Sequence, residues 1–355
     1  MDIDIRLATQ EEKKKLLEFL DNHWKKDHIY VKDIKLLEYL HLDQSREIIN
    51  FVIIVDKIRD EILGIHAFIP YSHFDSELEE VDIFLSIWKV KKAAKIPALG
   101  LRSIEFIQKN FNARLIQAMG FIEEITKLYE TLGFQVGYLS HHVLFNPKIE
   151  NFKVARNVSY SCLPPENREE DSLKLLIGQE ELLEEFSSQE VNLLCRGFLP
   201  LKSKKFLFQK YLNHPNYKYE LGIGVNDFND ILFLFVFREI FLESSMVLRI
   251  VDFFGQDQFI FQVANQLINL LETRKAEYLD FYQYGLNNSC LEKAYFKDRG
   301  QFKSLIVPDH FEPFEERNID INFAYRLSNK KVTSKVRFFK GDGDQDRPSL
   351  LRKNQ

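Results

Sequence analysis

The sequence switches repeatedly between the two-residue period of a half-buried strand and the 3.6-residue period of an amphipathic helix. Residues 3–7 have strand character, and the stretch QEEKKKLLEFLDNHW places Leu16 and Leu20 on one side of a helix. A second helix is expected over residues 32–42, and INFVIIVDK and EILGIHAFIP predict a hairpin. With the five elements that follow to residue 146, the order is β-α-α-β-β-β-α-β-α-β, which predicts an α/β fold.

The second half of the chain repeats this order loosely. A helix in EELLEEFSSQ precedes three strands, a helix, a strand, a short helix, and the strands FKSLIVP and NIDINFAYRL. We therefore expect two copies of one fold, over residues 1–147 and 179–338, joined by a Pro- and Asn-rich connecting segment over 148–178. The Gly/Asp-rich residues 339–355 are expected to be mobile or to lie along the surface.

Composition narrows the function classes. The chain has 355 residues, enough for two domains, and a formal net charge of -5, which argues against nucleic acid or an anionic membrane as partner. No apolar run is long enough to span a bilayer, and the N-terminus lacks a signal-peptide pattern. Three distant cysteines (Cys162, Cys195 and Cys290) predict a cytoplasmic protein without disulfides. No metal is expected, because Asp342-x-Asp344-x-Asp346 lacks the remaining ligands of a calcium loop.

The loop VKKAAKIPALGLR, residues 90–102, joins the predicted strand EEVDIFLSIWKV to the predicted helix LRSIEFIQKNF. Unpaired N–H groups and the positive dipole end of a helix attract anions. Small residues such as Ala98 and Gly100 would let a phosphate approach the backbone, and Lys91, Lys92 and Lys95 would add charge. A plain turn is compatible with the same residues.

The element order, this loop and the stretch LYETLGF, residues 128–134, together resemble the GNAT acyltransferase superfamily. That family places LY-x-x-LGF at the end of the penultimate helix and a pyrophosphate loop after the fourth strand of a mixed sheet. Here Val90 opens the loop, Lys95 stands at its basic position, Ala98 replaces its first Gly, and Gly100 lies at or beside its second small position. The resemblance implies a coenzyme A site formed by Ile87, Trp88, Val90, Lys95, Ala98, Leu99, Gly100, Leu101 and Arg102.

The sequence also departs from the family pattern. Ile122 stands where the family often has Asn, and the corresponding loop of the second half, DFFGQDQFIFQ, has no basic residue and only Gly255. We therefore expect acyl-CoA to bind the first domain only. Two mixed folds without a coenzyme A site remain an alternative.

The resemblance also implies chemistry. Backbone groups near Ile87–Val90 would hold the pantetheine arm, and Tyr129 would protonate the leaving thiolate, although Tyr129 is equally compatible with core packing. Strand alternation puts Asp82 and Ser86 on one side of an otherwise apolar strand. Asp82 is the predicted general base and Ser86 would position the acceptor, unless Asp82 simply ends the strand in solvent. His66 is the second choice as base, followed by His141 and His142.

In the second half, LDFYQYG places Asp280, Tyr282 and Tyr284 on one face, where they would stack on a base and hydrogen-bond a sugar, or else form core and rim. Tandem halves, chain length and this face resemble, more weakly, N-acyltransferases of nucleotide-linked amino sugars such as the anthrose-pathway enzyme acting on a dTDP-sugar. The predicted function is acyl transfer from acyl-CoA to the amine of a nucleotide-linked amino deoxysugar in surface polysaccharide biosynthesis. Alternatives are an aminoacyl or peptide N-acyltransferase and a non-catalytic acyl-CoA-binding protein.

Overall fold

The computed structural model describes residues 2–94, 96–243, 245–328 and 333–351. The chain divides into two compact units. Unit 1 comprises Met1–Gly137, Asn322–Val332 and Gly343–Gln355, and unit 2 comprises Tyr138–Ile321 and Thr333–Asp342. Each unit has its own sheet and its own core.

The strands of the described residues are β1 Ile3–Thr9, β2 Leu42–Asp43, β3 Ile48–Asp56, β4 Glu61–Pro70, β5 Asp82–Val90, β6 Leu115–Met119, β7 Gln135–Tyr138, β8 Ser140–Phe145, β9 Lys174–Gly178, β10 Phe198–Leu199, β11 Glu220–Val225, β12 Ile231–Leu242, β13 Ser245–Gly255, β14 Tyr278–Tyr284, β15 Lys297–Asp298, β16 Asn322–Leu327, β17 Lys335–Val336 and β18 Phe338–Phe339. The α-helices are α1 Lys13–Phe19, α2 Ile29–Lys32, α3 Ile34–His41, α4 Leu99–Phe111, α5 Thr126–Thr131, α6 Glu180–Glu184, α7 Ser188–Cys195, α8 Lys204–Leu207, α9 Ala264–Arg274 and α10 Asn288–Lys293.

Local sequence signals set several of these boundaries. Asp33 caps α3 by accepting from the N–H of Leu36 at 3.1 Å. Ser187 and Glu190 form a capping box at the start of α7. α1 buries Leu16 and Phe19 on the apolar side that its periodicity predicts. None of the helices found in the described ranges has both the length and the apolar character needed to cross a bilayer.

The sheet of unit 1 has the order β1-β3-β4-β5-β6-β16-β7. β5 and β6 are parallel, whereas β1 with β3, β3 with β4, β4 with β5, and β6 with β16 are antiparallel. The sheet is therefore mixed, and helix α4 packs on it through Ile104 and Ile107. The predicted α/β fold with a mixed sheet is confirmed.

The sheet of unit 2 repeats that order as β9-β11-β12-β13-β14-β8-β15. Its single parallel pair among the described strands, β13 with β14, occupies the position of β5 with β6. Two copies of one fold are thus present, as the repeated element order predicted.

The sixth strand of each sheet comes from the other half of the sequence. Residues 140–145, expected to end the first domain, pair as β8 with β14 in unit 2. Residues 322–327, expected to end the second, pair as β16 with β6 in unit 1. The run FQVGYLSHHVLF breaks at Leu139, which donates its N–H to the carbonyl of Ile321. The units therefore differ from the sequence-based division at residues 147 and 338.

Three other expectations differ from the structure. The last residues of the expected connecting segment form β9, which pairs with β11. The expected strand over residues 302–308 is limited to one bridge, between Ile306 and Arg156. Residues 338–344 are buried, not superficial, because their charged side chains have partners of opposite charge.

Candidate functional site

The parallel strands of unit 1 separate partway along their length. β5 pairs with β6 from Asp82 opposite Leu115 to Leu85 opposite Ala118, and then continues to Val90 paired with β4 only. Against β4, the register moves from His66 opposite Trp88 to Phe68 opposite Leu85, so β5 carries a bulge at Ser86 and Ile87. In the described part of the chain, no strand pairs with the β6-facing side of residues 86–90. The backbone there is available to a ligand.

The amino end of α4 follows this open stretch. Ala98 has φ of 55°, in the left-handed region that usually holds glycine, and its carbonyl accepts from the N–H of Leu101 at 3.0 Å. Gly100 lies against the Trp88 indole, since a Cβ placed on Gly100 would come within 2.9 Å of the ring. The other expected phosphate-binding residues are at this turn too, with Leu99 buried and Arg102 exposed. Lys95 lies outside the described residues.

The lysines before this turn have different surroundings. Lys91 donates to Glu61 at 2.6 Å, so its charge is already paired. Lys92 is exposed. Of the expected basic residues, Lys92 and Arg102 are therefore the described ones with exposed side chains.

His66 lies inside the core beneath this turn. Its ring stacks on Trp88 with a centroid separation of 5.3 Å, and its Nδ1 lies 2.8 Å from the Ser103 hydroxyl. The Ser103 hydroxyl donates to the carbonyl of Gly100, so Nδ1 of His66 is the donor to Ser103. Burial lowers the pKa of His66 to about 3, which keeps the imidazole neutral near pH 7. His66 thus packs and orients the turn.

Tyr129 lies on the inner face of α5, and the LYETLGF stretch holds it there. Gly133 ends the helix with φ of 77°, and the N–H of Phe134 returns to the carbonyl of Tyr129 at 3.0 Å. The ring packs against Phe121 and Phe134 and lies 6.4 Å from Trp88 by centroid. Burial raises the pKa of the phenol, so the hydroxyl stays protonated. This hydroxyl makes no hydrogen bond to another described residue, and it is therefore available as a donor.

Asp82, the predicted base, forms a bidentate ion pair with Arg114. Its carboxylate oxygens accept from Nε at 2.9 Å and from Nη2 at 2.6 Å, and the residue is 1% exposed. Arg114 also contacts Glu80. This arrangement fixes the start of β5 to the segment before β6, and it places Asp82 four residues from the open backbone. The structure brings Ser86, but not Asp82, to the point where β5 separates from β6.

A carboxylate that the sequence did not assign to this site lies beside Ser86. Asp344, in the residues expected to be superficial, accepts from the Ser86 hydroxyl at 2.6 Å and from the Tyr30 hydroxyl at 2.9 Å. Because these partners are 258 and 314 residues away in sequence, no local pattern could have paired them. The available signal is a run of aspartates interspersed with glycines, a polar pattern that predicts a surface position.

Unit 2 has the same bulge and separation, but its gap is filled. β13 pairs with β14 only from Leu248 to Ile250, with a bulge at Val251. Beyond this point β18 pairs with β14, and the N–H of Gly341 donates to the carbonyl of Val251 at 2.6 Å. The chain's own segment, residues 338–341, thus occupies the place where the two strands diverge.

The turn after β13 is also filled, in this case by the guanidinium group of Arg337. Arg337 donates to the carbonyl of Gly255 at 2.7 Å and to the carboxylate of Asp257 at 2.8 Å. A pyrophosphate would meet the Asp257 carboxylate here, and Arg337 is committed to neutralising it. That unit 2 lacks a coenzyme A site stays a prediction.

The residues expected to bind a nucleotide sugar belong mostly to the core of unit 2. Asp280 is 0% exposed and accepts from Arg249 at 2.9 and 2.6 Å and contacts His141 at 3.1 Å. Tyr282 is buried, stacks on His141 and donates to the carbonyl of Ile319. Tyr284 is 36% exposed. His142 is buried as well, and burial lowers its pKa to about 4.

Comparison with known proteins agrees with this architecture. No protein-family model and no curated protein matches the sequence. A GCN5-related N-acetyltransferase from Anabaena variabilis matches 92% of this chain and 73% of its own, with 12% identity and a TM-score of 0.54. A conserved protein of unknown function from Enterococcus faecalis, a probable N-acyltransferase, matches 94% of this chain and 74% of its own, with 8% identity and a TM-score of 0.55. The chain therefore has a tandem GNAT-type fold.

Proposed function

We propose that this protein is an acyl-CoA-dependent N-acyltransferase whose acyl-CoA site lies in unit 1. The observation that carries the proposal is the separation of β5 from β6 at the Ser86–Ile87 bulge. In unit 1 it leaves the β6-facing side of residues 86–90 without a partner strand among the described residues, while residues 338–341 fill the equivalent gap in unit 2. A pantetheine arm, with its two amides, is a suitable partner for an open strand edge.

Acyl-CoA supplies an activated thioester carbonyl when bound. In this proposal the unpaired N–H groups near Ile87 polarise the carbonyl oxygen. The turn at Ala98 and the amino end of α4 receive the pyrophosphate, with Lys92 and Arg102 adding positive charge. The Trp88 indole, packed on Gly100, sets the distance between this turn and the strand.

Tyr129 is proposed to donate a proton to the departing thiolate. Its phenol is held in the core by Phe121 and Phe134, carries its proton at neutral pH, and has no competing hydrogen-bond acceptor within the described part of the chain. Asp82 does not transfer a proton in this proposal, because both of its oxygens accept from Arg114.

The acceptor is proposed to be a primary amine. The amine of a nucleotide-linked amino deoxysugar, such as a dTDP-sugar used in polysaccharide biosynthesis, stays a prediction from the sequence. Of the residues expected to recognise it, Tyr284 is the exposed one, because Asp280 and Tyr282 are enclosed in unit 2.

A thiol-release assay tests the proposal. Several acyl-CoAs are incubated with the full-length protein and with UDP- and dTDP-linked amino sugars, 2-phenylethylamine and 2,2,2-trifluoroethylamine. Amine-dependent release of coenzyme A supports an N-acyltransferase. Binding of coenzyme A without release for any amine would identify a non-catalytic binding protein and would overturn the assignment.

A further inference from the structure

Asp344 is held in unit 1 by donors on one of its oxygens only. Oδ2 accepts from Ser86 at 2.6 Å, from Tyr30 at 2.9 Å and from Nε of Arg347 at 3.1 Å. Within the residues that the structure describes, Oδ1 accepts no hydrogen bond. The residue is 4% exposed, so this carboxylate is oriented by three donors and keeps one oxygen for a further partner.

The hydroxyl of Tyr30 has two acceptors for its single proton. It lies 2.9 Å from Asp344 Oδ2 and 3.2 Å from His41 Nε2. The other nitrogen of His41 lies 3.2 Å from the carbonyl of Phe68, and only a protonated Nδ1 can bond a carbonyl. Nε2 of neutral His41 is therefore an acceptor. When Asp344 is ionised, Tyr30 donates to it; when Asp344 gains a proton, Tyr30 can turn to His41.

The backbone around Asp344 is closely fitted. Gly343 has φ of 60° and lies against Phe84, since a Cβ there would come within 2.1 Å of the ring. The Gln345 side chain lies on Gly120, immediately after β6. Residues 343–345 thus lie beside Phe84 of β5 and beside Gly120, which follows β6. They place Asp344 next to Ser86, where the open stretch of β5 begins.

We propose that Asp344 is the residue that receives the acceptor amine, accepting its N–H proton at Oδ1 as the C–N bond forms. The inference rests on the proposed function. The nitrogen lone pair bonds to the acyl carbon, the C–S bond breaks, and the electron pair leaves on sulfur, which takes a proton from Tyr129. The amine loses its extra proton to Asp344. Ser86, Arg347 and Tyr30 are positioning residues. The acceptor is a primary amine, and the rest of the acceptor molecule is not specified by this proposal.

The charges around Asp344 keep it ionised. The groups facing it are Tyr30, Ser86 and Arg347, with His41 behind Tyr30 and His28 at 3.4 Å from Arg347. Burial raises the pKa of Asp344, but Arg347 and the hydrogen bonds outweigh this effect and lower it to about 2. Because an attacking amine becomes a far stronger acid as its nitrogen bonds to carbon, it can protonate a carboxylate that is ionised at neutral pH. Asp344 then releases this proton to water.

The test compares Asp344→Asn with wild type in the full-length protein. Asp346→Asn is the matched control, because this nearby aspartate makes no hydrogen bond to Ser86 or Tyr30 in the described structure. We expect Asp344→Asn to lower kcat by about 100-fold or more with 2-phenylethylamine and by less with the weakly basic 2,2,2-trifluoroethylamine. The thermal shift produced by coenzyme A is expected to be unchanged, and Asp346→Asn is expected to keep wild-type kcat.

The outcomes separate this inference from the proposed function. An active wild type with an equally active Asp344→Asn variant would overturn the role of Asp344 alone. An equal loss with both amines would show a structural role and overturn it too. A wild type inactive with every amine would overturn both. If Asp344→Asn does not fold, Tyr30→Phe tests the same contact: the loss of one donor to the carboxylate should lower kcat about tenfold with unchanged coenzyme A binding, and an unchanged kcat would refute it.

Discussion

Substitutions in the Asp82–Arg114 ion pair can distinguish a structural role of Asp82 from a catalytic role. Arg114→Met leaves a carboxylate that is 1% exposed without its main partner, and Asp82→Asn turns an amide donor toward the guanidinium. Removing one partner of a buried ion pair costs about 3–5 kcal/mol. Because the Arg114 side chain is 15% exposed, and because it keeps Glu80 in Asp82→Asn, we expect the lower end, about 3 kcal/mol.

Urea unfolding followed by tryptophan fluorescence measures this loss in unit 1. The chain contains two tryptophans, Trp24 and Trp88, and both lie in unit 1. With a urea dependence of about 1–3 kcal/mol per M, a loss of about 3 kcal/mol lowers the midpoint by about 1–3 M. The Asp82→Asn/Arg114→Met double variant should lose less than the sum of the single variants, since it leaves no unpaired buried charge.

Turnover of the same variants completes the test. We expect Asp82→Asn, at a temperature where it is folded, to keep its kcat within a few-fold of wild type. An unchanged urea midpoint together with a loss of about 100-fold in kcat would refute the structural assignment. That result would return Asp82 to the role of general base.

Three further predictions concern the phosphate-binding turn at Gly100, the protonation of the thiolate by Tyr129, and the loss of stability at low pH through Asp280. Gly100→Val should abolish the thermal shift caused by coenzyme A, because a side chain there displaces Trp88, and a full shift would contradict the phosphate-turn assignment. Tyr129→Phe should lower kcat by about 100-fold with little change in coenzyme A affinity, and unchanged turnover would leave Tyr129 as a packing residue. Burial raises the pKa of Asp280, but Arg249 outweighs it and lowers the pKa from 3.8 to about 2, so Asp280 adds about 2 kcal/mol of stability above pH 4 that is lost as the pH falls toward 2. Circular dichroism of acid unfolding should show this loss, and the same acid midpoint for Asp280→Asn would contradict it.

Periodicity predicted the elements of each half because their apolar faces are local features of the chain. The hairpin of β3 and β4, the strand β5 and the helix α4 follow directly from apolar spacing. The exchange of β8 and β16 could not be predicted in this way. Strand pairing is set by contacts distant in sequence, and the stretch containing β7 and β8 has strand character throughout.

The candidate site was predicted unevenly for the same reason. The turn at Ala98 and Gly100 and the position of Tyr129 belong to single strand–turn–helix segments, which a motif can identify. The position of Asp344 depends on hydrogen bonds from Ser86 and Tyr30, which are far away in sequence. Buried carboxylates with distant partners have the same local pattern as solvated ones, so polarity alone predicted a surface tail.

A crystal structure of the full-length protein with coenzyme A bound tests the central claim most directly. We predict one coenzyme A molecule per chain, with its pantetheine arm along residues 86–90 of β5 and its pyrophosphate at the turn of Ala98. Residues 338–341 are expected still to fill the gap beside Val251. Coenzyme A in the gap of unit 2, or bound away from β5, would contradict the assignment of the site.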